Sequence, residues 1–179
     1  MKTLLSQLRS DLAAHGGDWT AQGFWALAVH RFGAWRYGLR FAPVRKAASL
    51  LYKVLFKLVQ IVAGIELPCE ALVGRGTRID HFGGIIVSGY ASIGENCVLR
   101  QGVTIGLRHV DDPVAPSIGN GVDIGAGAKL LGPITVGDGA SIGANAVVLQ
   151  DVPAGAVAVG IPARILQKSP TALASVVAA

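Results

Sequence analysis

Four histidines stand in the 179-residue chain: His15, His30, His81 and His109. Imidazole takes up and returns a proton near neutral pH, so each is a place where proton-transfer chemistry could be done. Asp80 precedes His81 and Arg108 precedes His109. A carboxylate beside an imidazole can fix its tautomer and steady its protonated form. The same pair of residues is also at home in a surface turn, so the types alone leave both readings open. Two cysteines, Cys69 and Cys97, are too few for a disulfide framework or a four-thiolate zinc site and read as reduced, packed thiols. A zinc centre built from three histidines finds only His81 and His109 in the second part of the chain, so no metal is expected.

The elements that position these residues follow from a repeat. Aliphatic residues recur every sixth position: Leu67, Val73, Ile79; then Ile93, Leu99, Ile105; then Ile118, Ile124, Leu130, Val136, Ile142, Val148. Glycine commonly follows, as in Val73-Gly74, Ile93-Gly94 and Ile124-Gly125. Six residues of α-helix turn through about 600°, which would scatter such a series around the helix. A short strand followed by a tight corner, with one aliphatic side chain pointing inward per strand, fits instead. Three strands close a triangular coil, and stacked coils bury a continuous aliphatic column. This is the hexapeptide-repeat parallel β-helix. The phase breaks twice. Ile79 to Ile93 is two residues longer than two repeats, with the surplus in 81–87. Ile105 to Ile118 is one residue longer than two repeats, with the surplus in 107–117. His81 and His109 fall in these two breaks, where loops carry function.

Ahead of the repeat the composition changes. Residues 1–66 hold nine of the eleven aromatics and a net charge of +6, and the remainder has a net of −1. The first part reads as helices: one through Leu4, Leu5, Leu8 and Leu12, broken at His15-Gly16-Gly17-Asp18; one over 20–40; and one over 44–62 after Pro43. On the third, Leu51, Val54, Leu55, Leu58 and Val62 make a stripe, with Lys46, Lys53, Lys57 and Gln60 opposite. Lys53 and Lys57 at its middle argue against a membrane span, and Arg9 and Asp11 interrupt any apolar leader. The stripe is expected to pack on its own domain or a neighbouring subunit, with peripheral contact to an anionic inner membrane face as the other reading. The expected organisation is a helical region over 1–66, a β-helix over 67–166 and a loose tail over 167–179. No nucleic-acid motif accompanies the basic charge, so no nucleic-acid partner is expected.

From Glu66 to Leu166 the chain resembles the serine acetyltransferase branch of the hexapeptide acyltransferases. The matching residues are Gly74-Arg75-Gly76, Ile79-Asp80-His81, Gly84-Ile85-Ile86-Val87, Gln101-Gly102-Val103-Thr104-Ile105-Gly106, Ile124-Gly125-Ala126-Gly127-Ala128-Lys129, and Val152-Pro153 followed by Gly160-Ile161-Pro162-Ala163-Arg164. The resemblance implies a left-handed parallel β-helix, a homotrimer with sites between subunits, and acetyl-CoA as donor; the two reduced thiols point to a cytoplasmic protein. It places the catalytic histidine on His81, its aspartate partner on Asp80 and a second carboxylate on Glu66. It places the CoA groove on Gly106, Ala126 and Ala144; the cations Lys129 and Arg164 are expected to meet the CoA phosphates by their charge. One feature departs from the branch. Where it carries an Arg-His-Pro-Lys run that holds the amino-acid acceptor, this chain reads Val114-Ala115-Pro116-Ser117. Arg108 and His109 stand earlier in the same loop and are expected to face the acceptor. The departure and the short helical part resemble colanic acid and related exopolysaccharide O-acetyltransferases. Acetyl transfer to a sugar or polysaccharide-precursor hydroxyl is therefore the expectation, with serine O-acetylation as the alternative.

Overall fold

The computed structural model describes residues 3–109 and 111–166. The expected tail over 167–179 lies outside the described residues. Three helices come first: α1 (Leu4–Ala14), α2 (Gln22–Arg36) and α3 (Ala42–Ala63). Pro43 sits in the first turn of α3, where its missing N–H is not needed. Gly64 ends the helix with φ of 61°, a left-handed cap.

Fifteen short strands then wind into three walls. The first wall is β1 (Ile65–Glu66), β4 (Ile85–Val87), β7 (Thr104–Gly106), β10 (Lys129–Leu131) and β13 (Val147–Val148). The second is β2 (Leu72–Val73), β5 (Ser92–Ile93), β8 (Ser117–Ile118) and β11 (Thr135–Val136). The third is β3 (Arg78–Asp80), β6 (Val98–Arg100), β9 (Asp123–Ile124), β12 (Ser141–Ile142), β14 (Val157–Val159) and an antiparallel last strand, β15 (Arg164–Leu166). All other pairings are parallel, so the fold is the expected β-helix. The six-residue series runs down its axis. Ile105 faces Leu130 and Leu130 faces Val148 on the first wall, while Leu99 faces Ile124 and Ile124 faces Ile142 on the third. All of these are buried, and each such side chain contributes roughly 1.5–3 kcal/mol by leaving water.

Register corrects the size of the second break. Val87 and Ile105 are neighbours on the first wall, and Ile93 and Ile118 are neighbours on the second. The step from Ile105 to Ile118 is therefore one wall to the next with seven extra residues, not two repeats with one extra. The extra residues leave the walls, and Arg108, His109 and 111–114 among them are exposed.

The helices cover the open end of the first coil. In each later coil, a carbonyl accepts from the coil before it: Leu72 N–H donates to Ala91 O and Gly74 N–H to Ile93 O. The first coil has no coil before it, so the equivalent groups Ala71 O and Val73 O need other partners. His30 Nε2 donates to Ala71 O at 2.9 Å, and Arg31 donates to Val73 O and to Gly74 O. Buried Asp11 holds Arg31 in place (Nε–Oδ2 2.9 Å) and accepts from Gly76 N–H. Close approach demands glycine at two points of α2. A Cβ on Gly23 would lie 2.3 Å from Ile79 O, and one on Gly33 would lie 2.5 Å from the Tyr52 ring.

On α3 the buried residues are Tyr52, Val59 and Ala63. The Leu51, Val54, Leu58 and Val62 stripe faces outward, about half exposed or more. Packing on its own domain is thus made by a different arc of the helix.

Candidate active site

The corner between the third and first walls carries His81. Its φ is +64°, a backbone conformation that costs a non-glycine residue about 1–2 kcal/mol. The side chain is exposed and makes no hydrogen bond among the described residues. Directly above it in later coils the same corner is formed by Gln101-Gly102, Ala126-Gly127 and Ala144-Asn145. Backbone bonds tie them into one ladder: Gly102 N–H to Gly83 O, Gly127 N–H to Gln101 O, and Asn145 N–H to Ala126 O, all 2.8–2.9 Å. His81, Ala126 and Ala144 therefore share one edge of the prism. Ala144 lies three coils from His81, ~14 Å at ordinary strand spacing.

Asp80, the neighbour of His81 on β3, is engaged by Arg78, with Nε–Oδ1 2.8 Å and Nη2–Oδ2 2.9 Å. In register it also faces Arg100. Arg100 is pushed above its ordinary pKa, first by its hydrogen bond to Asp123 and further by the charges of Asp123 and Asp80. In the single chain the Asp80 carboxylate thus lies between cations and does not hydrogen-bond His81.

A cleft of about 390 Å³ joins Arg78, Ile79, Asp80 and His81 to Ala14, His15, Gly16 and Ala21 of the helical part. His15 was legible only as part of a helix break. Its Nδ1–H donates to Asp11 O at 2.7 Å, and its Nε2 accepts from Ile79 N–H at 3.2 Å. This contact spans 64 residues, and no local spacing announces it. Ile79 N–H is another group of the first coil that points away from the second coil, since its neighbour Arg78 N–H donates to Cys97 O. Arg78 is the other residue the sequence reading passed over, since nothing in the period singles out an outward strand position.

The remaining expected site residues lie apart from this cleft in one chain. Glu66, exposed on β1, lines a second cleft of about 250 Å³ with Gln60, Gly64, Gly84 and Ile86. Gly106 ends β7 at the edge between the first and second walls. Arg108 and His109 follow it into the seven-residue excursion. His109 forms a bridge with Asp112, and Arg108 lines a third cleft with Gln150 and Pro162. Lys129 is tied to Gly102 O and to Thr104 Oγ1, the latter at 3.1 Å. Arg164 is exposed on β15.

The repeat places the chain among hexapeptide-repeat transferases: residues 115–150 match the family described as bacterial transferase hexapeptide (six repeats). Comparison narrows the class. The chain is 40% identical over 139 residues to the serine acetyltransferase of Helicobacter pylori strain J99, covering 74% of this chain and 78% of that protein. It is 38% identical over 154 residues to the serine acetyltransferase of Synechococcus elongatus, covering 82% of this chain and 58% of that one. Among solved structures, soybean serine acetyltransferase is similar with a TM-score of 0.78 at 34% identity, covering 91% of this chain and 69% of that chain. Brucella abortus serine acetyltransferase in complex with coenzyme A is similar with a TM-score of 0.78 at 30% identity, covering 92% and 68%. The chain belongs to the serine acetyltransferase family. It spans 58% and 62% of the first two curated relatives.

These relatives overturn the expectation of a sugar acceptor and the resemblance to colanic acid and exopolysaccharide enzymes. That reading rested on the short helical part and the missing Arg-His. Yet the structural match extends over 91% of the chain, so it takes in the helices as well as the repeat.

Proposed function

We propose that the chain transfers the acetyl group of acetyl-CoA to the hydroxyl of serine. The observation that carries this reading is the 40% identity to a serine acetyltransferase of which the chain covers 78%. His81 is the general base. It takes the proton of the serine hydroxyl as the oxygen attacks the thioester carbon. The tetrahedral oxyanion then collapses, the carbon–sulfur bond breaks, and the imidazolium returns its proton to the departing thiolate. Asp80 and Glu66 are the carboxylates assigned to steady the imidazolium, a role that requires Asp80 to turn from Arg78 and Glu66 to reach across from its own cleft. The edge ladder through Ala126 and Ala144 suits the pantetheine arm, because small side chains let an extended chain lie close to backbone. Lys129 and Arg164 are the cations assigned to the CoA phosphates.

The working unit in this reading is a homotrimer. His81 lies on one edge of the prism, whereas Gly106, Arg108 and His109 lie on another, so only a neighbouring copy can bring the second group to the first. Backbone N–H groups near Gly106 would then face the oxyanion, and Arg108 and His109 would face the acceptor. Release of CoA thiol from acetyl-CoA, followed with serine, with a panel of sugars and with no acceptor, tests the activity. Serine-dependent release is expected, reduced at least a hundredfold in His81→Ala. Release that is indifferent to serine rejects the acceptor, and full turnover in His81→Ala rejects the base.

A further inference from the structure

From Trp19 to Ile65 the chain contains no Asp or Glu, yet it holds Arg31, Arg36, Arg40, Arg45, Lys46, Lys53 and Lys57. Arg31 and Arg36 are buried, and the other five cations are exposed. Three of them, Lys46, Lys53 and Lys57, fall in one row along α3, because their spacings of seven and four residues return to the same side of a helix. Next to this row lies the outward apolar strip: Leu50 (66% exposed), Leu51, Val54, Leu58, Ile61 (73%) and Val62. At 1.5 Å per residue these two rows extend ~24 Å along the helix, from Lys46 to Val62. The opposite arc, Tyr52, Val59 and Ala63, is the one buried in the molecule.

We propose that this strip is a docking surface for a bilayer carrying anionic phospholipid, with α3 lying in the interfacial plane. An amphipathic helix with leucine and isoleucine on one arc and lysine beside it binds such a surface by burying the apolar arc while the ammonium groups meet the headgroups. Charge selects this occupant over a second copy. Packing α3 against another α3 sets lysine rows with no acid near one another. The chain's acids elsewhere are largely engaged: Asp80 by Arg78, Glu95 by Arg75, Asp123 by Arg100, and Asp138 and Asp151 by backbone N–H groups. No helix among the described residues is long and apolar enough to cross a membrane, so the contact lies on the surface. The inference stands on α3 alone and does not depend on the acetyl acceptor.

Flotation of the full chain with vesicles tests it, using phosphatidylcholine alone and phosphatidylcholine with about a third phosphatidylglycerol. Binding is expected only to the second. Each lysine near an anionic surface is worth about fivefold in partitioning, so K46Q/K53Q/K57Q is expected to bind about a hundredfold more weakly. Leu58→Glu with Ile61→Glu is expected to abolish binding while leaving circular dichroism, oligomeric mass and thiol release unchanged. Three results overturn the proposal. One is no binding to the anionic vesicles. Another is binding that survives L58E/I61E, which would be adsorption by charge alone. The last is a fall in oligomeric mass in L58E/I61E, which would make a second copy the occupant.

Discussion

Acidification is expected to destabilise this protein through one histidine outside the active site. His30 is 2% exposed, donates from Nε2 to Ala71 O at 2.9 Å, and has no partner among the described residues for its buried Nδ1. Burial pushes its pKa down from 6.5 to about 4, with neighbouring Arg31 pushing the same way. As pH falls through 6.5 the unfolded chain takes up a proton at this site and the folded chain does not. The unfolded state then holds more protons, so stability falls with falling pH. The difference between 6.5 and about 4, at about 1.36 kcal/mol per pH unit, comes to roughly 3 kcal/mol, of which about 2 is gone by pH 5. Other titrating groups overlap this window, so the measurement is a difference. Urea unfolding of the wild type and of His30→Gln is compared from pH 7.5 to 4. Glutamine can keep the donor to Ala71 O but cannot titrate. The stability difference is expected to be flat above pH 7 and to move about 3 kcal/mol in favour of the variant by pH 4. Parallel curves for the two proteins would refute the account of His30 as a buried neutral imidazole.

Other substitutions probe how the helices hold the site. Gly23→Ala puts a methyl group 2.3 Å from Ile79 O. It is expected to cost ~1–3 kcal/mol in thermal unfolding and to lower turnover, because Ile79 is two residues from His81. Asp11→Asn leaves the Arg31 guanidinium buried without its counter-charge and is expected to lower the stability measured by urea unfolding by ~3–5 kcal/mol. His81→Gly relieves a positive φ and is expected to raise the melting temperature, by ~1 kcal/mol in stability, while abolishing thiol release.

What was legible in the sequence is what repeats locally. The aliphatic period predicts the walls and the buried column because each strand–corner unit is decided within six residues. The period could not size the break after Ile105. All three walls present the same kind of inward side chain, so a spacing of thirteen reads equally as two steps plus one or one step plus seven. Only pairing partners such as Ile93 with Ile118 distinguish them. On α3 both the Leu51-Val54-Leu58 arc and the Tyr52-Val59-Ala63 arc are apolar, so amphipathicity alone did not say which faces the core. The motif points to Asp80-His81, and the fold sets them side by side at the first corner, with Asp80 paired to Arg78 rather than to the imidazole. No motif points to His15, since it meets Ile79 by tertiary contact alone. The expectation of a sugar acceptor failed because the run Val114 to Ser117 and the short helical part were weighed above a likeness that covers 74% of the chain in sequence and 91% in structure.

The same chemistry that ends the solenoid also anchors the corner that carries His81, the proposed base. A β-helix must terminate, and its terminal coil presents backbone groups that in every other coil are paired. Here four side chains complete them: His30 for Ala71 O, Arg31 for Val73 O and Gly74 O, Asp11 for Gly76 N–H, and His15 for Ile79 N–H. The last of these lands on β3 one residue before Asp80 and two before His81. A cap of purely apolar side chains would cover the coil but leave those groups unsatisfied, at about 1–3 kcal/mol each. It would also leave the strand leading into His81 without a fixed anchor. His81 adopts a left-handed backbone that the surrounding structure must impose. The backbone around it is fixed on both sides, by Ile79 N–H to His15 Nε2 before it and by Gly83 N–H to Ala63 O after it, so loss of the polar cap should appear in turnover as well as in stability.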